Sequence, residues 1–311
     1  MNNDRLLSEM SLVLALVSNG CTYEQIKKII GCKQISLQAL VSHYFKKSVS
    51  VYNSIRKYLN DEQCLRILIM ILNEKADFRR KFLVKLVYPS VICLFTFFSL
   101  VFYKITLLTK IQAMFDLTSY NFTFMIFDFV LYSLAGIYLL LFIFIVFINM
   151  LLRDPNTRNY IYLLLNSRVK DNLLTINTTG LFSKILLECF KSGVSTQNSL
   201  EIIGKFNDYP FVMLLARNCA LNLFDGNSFT HSISSIETDS SFKAFIQLGL
   251  YANKVIEQLT SYCEFNKVLF ESKLKNCITY FYVFVYIQFF ISSLLLYQII
   301  QIPMTVLSTK I

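Results

Sequence analysis

Hydrophobic residues dominate three long stretches of the chain, and none of these stretches contains a charged side chain. The first runs from Leu86 to Tyr103, the second from Phe129 to Leu152, and the third from about Cys277 to Ile302. About 20 apolar residues are enough for a helix to cross the hydrocarbon of a bilayer. The pattern therefore predicts three transmembrane helices, which separate two large blocks that face water, residues 1–85 and 153–275.

Outside these stretches, apolar residues recur at the spacing of an amphipathic helix, and no run alternates like a half-buried strand. Glycine and proline are scarce, with 8 and 4 residues. We therefore predict an all-α membrane protein with two duplicated cytoplasmic helical bundles. The second is expected to hold about six short antiparallel helices, because their connections are short, and the first is a reduced copy. These six helices are predicted near 178–192, 196–204, 209–223, 228–236, 240–249 and 254–275.

Two pairs of glycines divide the blocks in the same way. Gly20 and Gly31 are eleven residues apart, and so are Gly193 and Gly204. The first glycine of each pair ends a helical pattern, and a threonine or serine two residues later is a helix-starting residue. Each block then ends in a charged amphipathic helix that continues into an apolar stretch. The spacing predicts an internal duplication, although helix–glycine–helix is also a common device in unrelated proteins.

Basic residues cluster at the ends of the apolar stretches and account for much of the net charge of +10. By the positive-inside rule, both large blocks lie in the cytoplasm, the N-terminus is cytoplasmic and the C-terminus is outside. Nucleic-acid binding is the less favoured interpretation, because no zinc-finger or RNP-like pattern accompanies the charge. The predicted division is 1–85 first cytoplasmic bundle, 86–104 first transmembrane helix, 105–128 short outer loop, 129–152 second transmembrane helix, 153–275 second cytoplasmic bundle, 276–302 third transmembrane helix and 303–311 outer tail.

The chain lacks the motifs that would indicate catalysis or cofactor binding. It contains no P-loop, no G-x-S-x-G, no H-E-x-x-H and no G-x-G-x-x-G sequence. The eight cysteines are scattered, and His43 and His231 lie far apart, so no metal site is expected. Asp128, at the outer end of the second stretch, is expected to reach water or headgroups rather than to carry ions. We predict no catalytic residue, no cofactor and no metal.

Several short motifs resemble one family, the inner-membrane platform proteins of type II secretion and type IV pilus systems, called the general secretion protein F family. Residues 18–21 and 191–195 resemble its helix–small–Gly–hydrophobic pattern. Tyr88-Pro89, after a basic approach, resembles its entry into the first span. The positions that carry the predicted structural motifs are Gly20, Gly31, Tyr88, Pro89, Gly193, Gly204, Gly249 and Pro303.

The end of the chain extends this resemblance and also departs from it. Gly249 and the residues after it resemble the family's Gly-acidic-x-small-Gly element, and Pro303 resembles its terminal proline. Leu250 stands in place of the usual acidic residue and Asn253 in place of the second glycine. The short first block makes the chain most similar to the competence pseudopilus platforms of Gram-positive bacteria.

The resemblance implies a non-enzymatic, multi-pass protein of the bacterial cell (inner) membrane. Its partners would be a cytoplasmic hexameric assembly ATPase, pilin or pseudopilin subunits, the lipid bilayer and further copies of the chain, with no direct contact to nucleic acid. It would couple the ATPase to pilin insertion and so support DNA uptake or protein secretion. The alternatives are a permease-like or exporter subunit with cytoplasmic helical domains, and a membrane-anchored adaptor.

Overall fold

The computed structural model describes residues 3–30, 49–114, 121–151, 171–207 and 209–310, together with 157, 160 and 162–164. Every regular element in these residues is a helix, as the sequence predicts. Gly31 lies outside the described residues. In chain order the α-helices are α1 (Asn3–Ser18), α2 (Tyr23–Ile30), α3 (Val49–Arg56), α4 (Asp61–Tyr103), α5 (Thr109–Met114), α6 (Asn121–Leu151), α7 (Leu173–Lys191), α8 (Thr196–Ile203), α9 (Pro210–Phe224), α10 (Phe229–Ser235), α11 (Ser240–Tyr251) and α12 (Val255–Lys310).

Local capping explains where the short helices begin and end. Gly20, with φ +75°, ends α1 because glycine adopts the left-handed conformation without strain. The backbone N–H of Thr22 then donates to the Gln25 side chain at 2.9 Å, which starts α2. In the second block, α7 begins at Leu173 rather than near 178, because the Asn172 side chain caps it. The remaining short helices lie within a few residues of their predicted bounds.

Two helices are far longer than the others. The 43-residue helix α4 contains Pro89 without a break, so this proline does not start a separate helix. A π-helical turn at Lys104–Leu108 follows it. The 56-residue helix α12 joins the predicted amphipathic helix 254–275 to the third apolar stretch and extends past Pro303.

The chain forms two compact units. Unit 1 comprises Met1–Arg80 and Pro155–Lys273. The sequence predicts separate bundles for the two blocks, yet the described residues of both contribute to one buried cluster, which includes Ile55 and Leu65 from the first block and Phe182 from the second. An ion pair of 2.5 Å between Glu74 and Lys184 also joins the blocks. The two blocks therefore share one core and do not form separate bundles. The internal duplication stays a prediction.

Unit 2 comprises Lys81–Asp154 and Leu274–Ile311, and its core is formed mainly by α4, α6 and α12, with Leu108 of the π-helical turn and Ile111 of α5. Four described helical segments are long and apolar enough to cross a membrane, one more than the sequence predicts: Arg80–Ile111, Phe122–Phe147, Leu173–Lys191 and Val255–Ile302. These segments give the chain the character of a multi-pass membrane protein. They differ in burial, because the most apolar part of Leu173–Lys191 is 61% buried, against 22%, 6% and 28% for the others in that order.

Candidate functional site

The Tyr88-Pro89 motif connects α4 to α12 within unit 2. Proline has no backbone N–H, so the carbonyl of Lys85, one turn earlier, loses its normal helical partner. The hydroxyl of Tyr282 donates to this carbonyl at 3.4 Å, and the rings of Tyr88 and Tyr282 lie 6.4 Å apart. The tyrosine of α12 that contacts the motif is therefore Tyr282, whereas Tyr280, two residues earlier, is largely exposed. A neighbouring helix thus satisfies the group that the proline frees, as membrane helices require.

An uncharged polar cluster lies further along the same helices. Gln288 of α12 accepts a hydrogen bond from the Tyr138 hydroxyl of α6 at 2.8 Å. Its amide nitrogen donates to Thr96 of α4 at 3.0 Å, and its oxygen accepts from the thiol of Cys93 at 3.1 Å. The cluster therefore ties together the three helices that form most of the core of unit 2.

No sequence motif predicts this polar cluster. Cys93, Tyr138 and Gln288 are far apart in the chain, so their meeting depends on tertiary packing. The available signal was Gln288, an amide near the middle of the third apolar stretch. A buried amide in lipid must find partners or lose stability, and interhelical hydrogen bonds of this kind are typical between membrane helices. The cluster is chemically suited to holding helices together, since its groups are neutral and mutually bonded.

Helix α6 exposes an apolar surface in every direction over part of its length. Each side chain from Leu139 to Phe147 is between 48% and 67% exposed, although successive residues of a helix point about 100° apart. Gly136, just before this segment, has no atom from beyond the neighbouring backbone of its own helix within 4 Å of the position its Cβ would occupy. This segment is a surface for lipid or for another membrane helix.

Asp128, near the beginning of α6, has a cationic partner from another part of unit 2. Its carboxylate forms an ion pair of 2.7 Å with Lys104, which comes from the π-helical turn. The same ammonium donates to the Tyr132 hydroxyl at 2.9 Å and lies 4.4 Å from that ring. The ion pair joins α6 to the chain that follows α4.

A buried network in unit 1 surrounds Asp239. Its carboxylate accepts the backbone N–H of Phe242 at 2.8 Å, which caps α11, and also accepts a hydrogen bond from the hydroxyl of Tyr262 in α12. Asn266 donates to the Tyr262 oxygen at 2.9 Å. Burial raises the pKa of the Asp239 carboxyl above its ordinary value, although these hydrogen bonds oppose the shift. The network fixes α11 against α12.

The glycines at the helix ends share one geometry. Gly20 and Gly193 have φ angles of +75° and +76°, and each begins the pair of backbone hydrogen bonds of a Schellman motif. Gly226, at +83°, and Asn253, at +53°, end α9 and α11 in the same way. The match between Gly20 and Gly193 is therefore a general helix-ending device in this chain and does not by itself demonstrate duplication.

Gly204, the C-cap of α8, and Gly249 lie where two helices pack closely. Gly204 has an ordinary helical φ of −63°, and its carbonyl accepts Arg217 Nε at 3.0 Å. A Cβ on Gly249 would lie 3.0 Å from the Cα of Val255 and 3.2 Å from the Cβ of Gln258, so glycine lets α11 end against α12. For Pro303, the helical backbone of α12 continues through the residue.

The described residues offer little chemistry beyond these contacts. They contain no group of three or more His, Cys, Asp or Glu side chains that would hold a metal ion. Burial raises the pKa of the Cys64 and Cys219 thiols to about 12, so neither is a thiolate at neutral pH. No protein-family model matches the chain, and neither does any curated protein. The family resemblance therefore rests on the quoted motifs alone.

Proposed function

We propose that the chain is a membrane platform for assembly of a type IV pilus-like fibre, most similar to a competence pseudopilus platform or its type II secretion counterpart. The observation that carries this proposal is the continuity of α4 and α12. Each begins among the charged helices of unit 1 and ends as an apolar helix in unit 2. Such helices are suited to coupling events in water to events in lipid.

The platform has three spans in this proposal, formed by α4, α6 and α12. Helix α7 meets the criteria of length and composition, but its side chains are mostly buried within unit 1. A helix that is apolar and already covered by protein belongs to the core of a water-exposed domain. With three spans, the basic residues at their boundaries place the N-terminus in the cytoplasm of a bacterial cell and the C-terminus outside.

Two sets of partners follow from this arrangement. A hexameric assembly ATPase docks on unit 1 and moves it, and α4 and α12 carry that movement into the membrane. Pilin or pseudopilin subunits, whose N-terminal helices lie in lipid, contact the exposed apolar surface of unit 2, including Phe142 and Phe144 of α6. The chain itself performs no reaction, and further copies complete the platform.

A permease-like or exporter subunit is the second candidate, and the polar cluster around Gln288 is the observation in its favour. A transport path needs polar groups inside the membrane, and Cys93, Thr96, Tyr138 and Gln288 supply them. These groups are uncharged and bond to one another, whereas substrate paths usually carry ionisable residues. The cluster therefore supports the exporter less well than the continuous helices support the platform.

The experiment that tests the platform uses a strain in which the gene is deleted. Deletion is expected to abolish fibre assembly or the DNA uptake and secretion that depend on it, and the wild-type gene should restore them. A photocrosslinker in place of Phe142 should capture the pilin, and the protein in detergent should co-purify with the ATPase. Normal fibres in the deletion strain, or co-purification with a nucleotide-binding transport subunit instead, would overturn the proposal.

A further inference from the structure

Two consecutive helices of unit 1, α8 and α9, border an open groove with a cavity volume of about 470 Å³. On the α8 side it is lined by Gln197, Glu201 and Gly204, which share one helical face. The carbonyl of Gly204 accepts a hydrogen bond from Arg217, at the middle of α9. The two helices therefore form a hairpin, and the groove follows it for about two turns, or roughly 10 Å.

The α9 side of the groove is apolar except at one end. Arg217, Leu221 and Phe224 are spaced four and three residues apart, so they form a single stripe. Leu221 is 62% exposed and Phe224 is 85% exposed. Both belong to unit 1, the unit that contains the charged helices, and not to the apolar unit 2. Large apolar side chains exposed side by side on a water-soluble surface mark an interaction site.

The charged end of the groove has an uncompensated positive charge. The Arg217 guanidinium is held by its Nε bond to Gly204, and its terminal nitrogens have no carboxylate partner among the described residues. The carboxylate of Glu201 is already occupied by Lys205 at 2.6 Å, and this hydrogen bond lowers the pKa of Glu201. A held guanidinium with free terminal nitrogens is a strong binding group for an incoming carboxylate.

We propose that this groove binds a short amphipathic helix of a protein partner, with apolar side chains against Leu221 and Phe224 and a carboxylate that reaches Arg217. A groove between two packed helices is shaped for a third helix, whose apolar face completes the packing. A groove that is two helical turns long accommodates a peptide helix of two to three turns. The inference goes beyond the proposed function, because it states which side chains a segment needs in order to bind unit 1 at this groove, whichever partner protein carries that segment.

The test measures binding of fluorescent synthetic peptides to the full chain in lipid nanodiscs by anisotropy. The probes are amphipathic peptides of about three turns, with leucines along one face and one Glu at either end, and each has a twin with Gln in place of Glu. The wild-type chain is expected to prefer the better Glu peptide over its twin by about tenfold. Arg217→Gln should remove this preference, and Phe224→Ser should weaken both peptides at least about tenfold.

Two matched variants control for charge and exposed aromatic surface. Lys191→Gln removes one positive charge outside the groove, and Tyr251→Ser removes an aromatic side chain that is 86% exposed, as Phe224 is. Both are expected to bind like the wild type, while Arg217→Lys keeps the charge and should retain part of the preference. Absence of binding, binding that ignores both groove variants, or equal loss in the controls would each overturn the proposal. The peptide-binding measurement does not involve fibre assembly. Failure of the groove proposal would therefore leave the proposed function untouched, and the reverse also holds.

Discussion

Asp239 is a buried carboxylate, only 1% exposed, that holds the start of α11 and the Tyr262 hydroxyl at once. Because burial raises its pKa, the folded state binds a proton more tightly than the unfolded state. Between the unfolded pKa, about 3.9, and the raised folded pKa, its contribution to the free energy of unfolding falls as pH rises. The contribution is complete only below the unfolded pKa.

We therefore expect the wild-type chain to gain stability relative to Asp239→Asn as pH falls from 7 to about 4. The measurement is the unfolding midpoint of the two proteins in the same detergent across this range. Asp239→Ala, which also loses the cap, should be destabilised by about 2–4 kcal/mol at pH 7. Asp225→Asn, at an exposed position, is the control for a general loss of charge. A wild-type advantage that shrinks towards acid pH would contradict the assignment.

Gln288 is the residue on which the polar cluster of unit 2 depends, since it contacts Cys93, Thr96 and Tyr138. Replacing it with leucine leaves the Tyr138 hydroxyl without that acceptor. Measured hydrogen bonds between membrane helices are modest, so we expect Gln288→Leu to lower stability by about 1 kcal/mol. The matched control is Gln298→Leu on the exposed side of α12, which should be neutral. Equal effects of the two changes in a detergent unfolding titration would rule out a special role for the cluster.

The structural role of a residue was predictable where it depends on neighbours in sequence, and was not where it depends on partners far away in the chain. Gly20 and Gly193 follow helical patterns, and a glycine in that place predicts the left-handed helix end that is observed. Gly204 was predicted as a helix end as well, and it is the C-cap of α8, although with a helical φ of −63° rather than the left-handed conformation. Gln288 needed partners from two other helices, which no local pattern provides.

At the scale of the helix, Pro89 and Tyr282 form a pair that can be tested directly. Tyr282 donates to the Lys85 carbonyl, which lacks a helical partner because residue 89 is proline. Tyr282→Phe should therefore cost about 1 kcal/mol in the wild-type chain. In Pro89→Ala, the restored N–H of residue 89 bonds to the Lys85 carbonyl, and Tyr282→Phe should cost almost nothing.

A double-mutant cycle on unfolding in detergent gives the coupling between these two positions. Tyr280→Phe, on the same helix and 77% exposed, is the matched control and should show no coupling to Pro89→Ala. If Tyr282→Phe costs the same in both backgrounds, the hydroxyl does not compensate for the proline. The helix would then tolerate Pro89 for another reason, such as local solvation of the carbonyl.

Helix bounds were predicted more successfully than helix packing. Ser195 and Asp239 each cap the helix that follows, so the sequence near these boundaries contains the signal, whereas the cap at Asn172 starts α7 five residues before its predicted start. The shared core of unit 1 had no such signal, because Ile55 and Leu65 pack with Phe182 across more than a hundred residues. The periodicity of a helix identifies its buried face but not the helix that covers it.

For the whole molecule, the number of spans is the property that most constrains function, and α7 decides it. With three spans, Glu24 of α2 and Asn227 after α9 lie on the same side of the membrane. If α7 also crossed, they would lie on opposite sides and the C-terminus would return to the cytoplasm. Burial of α7 inside unit 1 favours the first arrangement, because a spanning helix would have to give up the contacts that now bury it.

Labelling of introduced cysteines in intact cells separates the two arrangements. Glu24→Cys and Asn227→Cys, both at exposed positions, should react with an impermeant maleimide only after the cells are lysed. Lys110→Cys, an exposed position of α5 in the stretch predicted to face outward, should react in intact cells and serves as the positive control, with the parent chain as the blank. Reaction of Asn227→Cys in intact cells would make α7 a fourth span. That outcome would place the groove beside Arg217 outside the cell, beyond the reach of any cytoplasmic ATPase, and would remove the physical basis for coupling through α12.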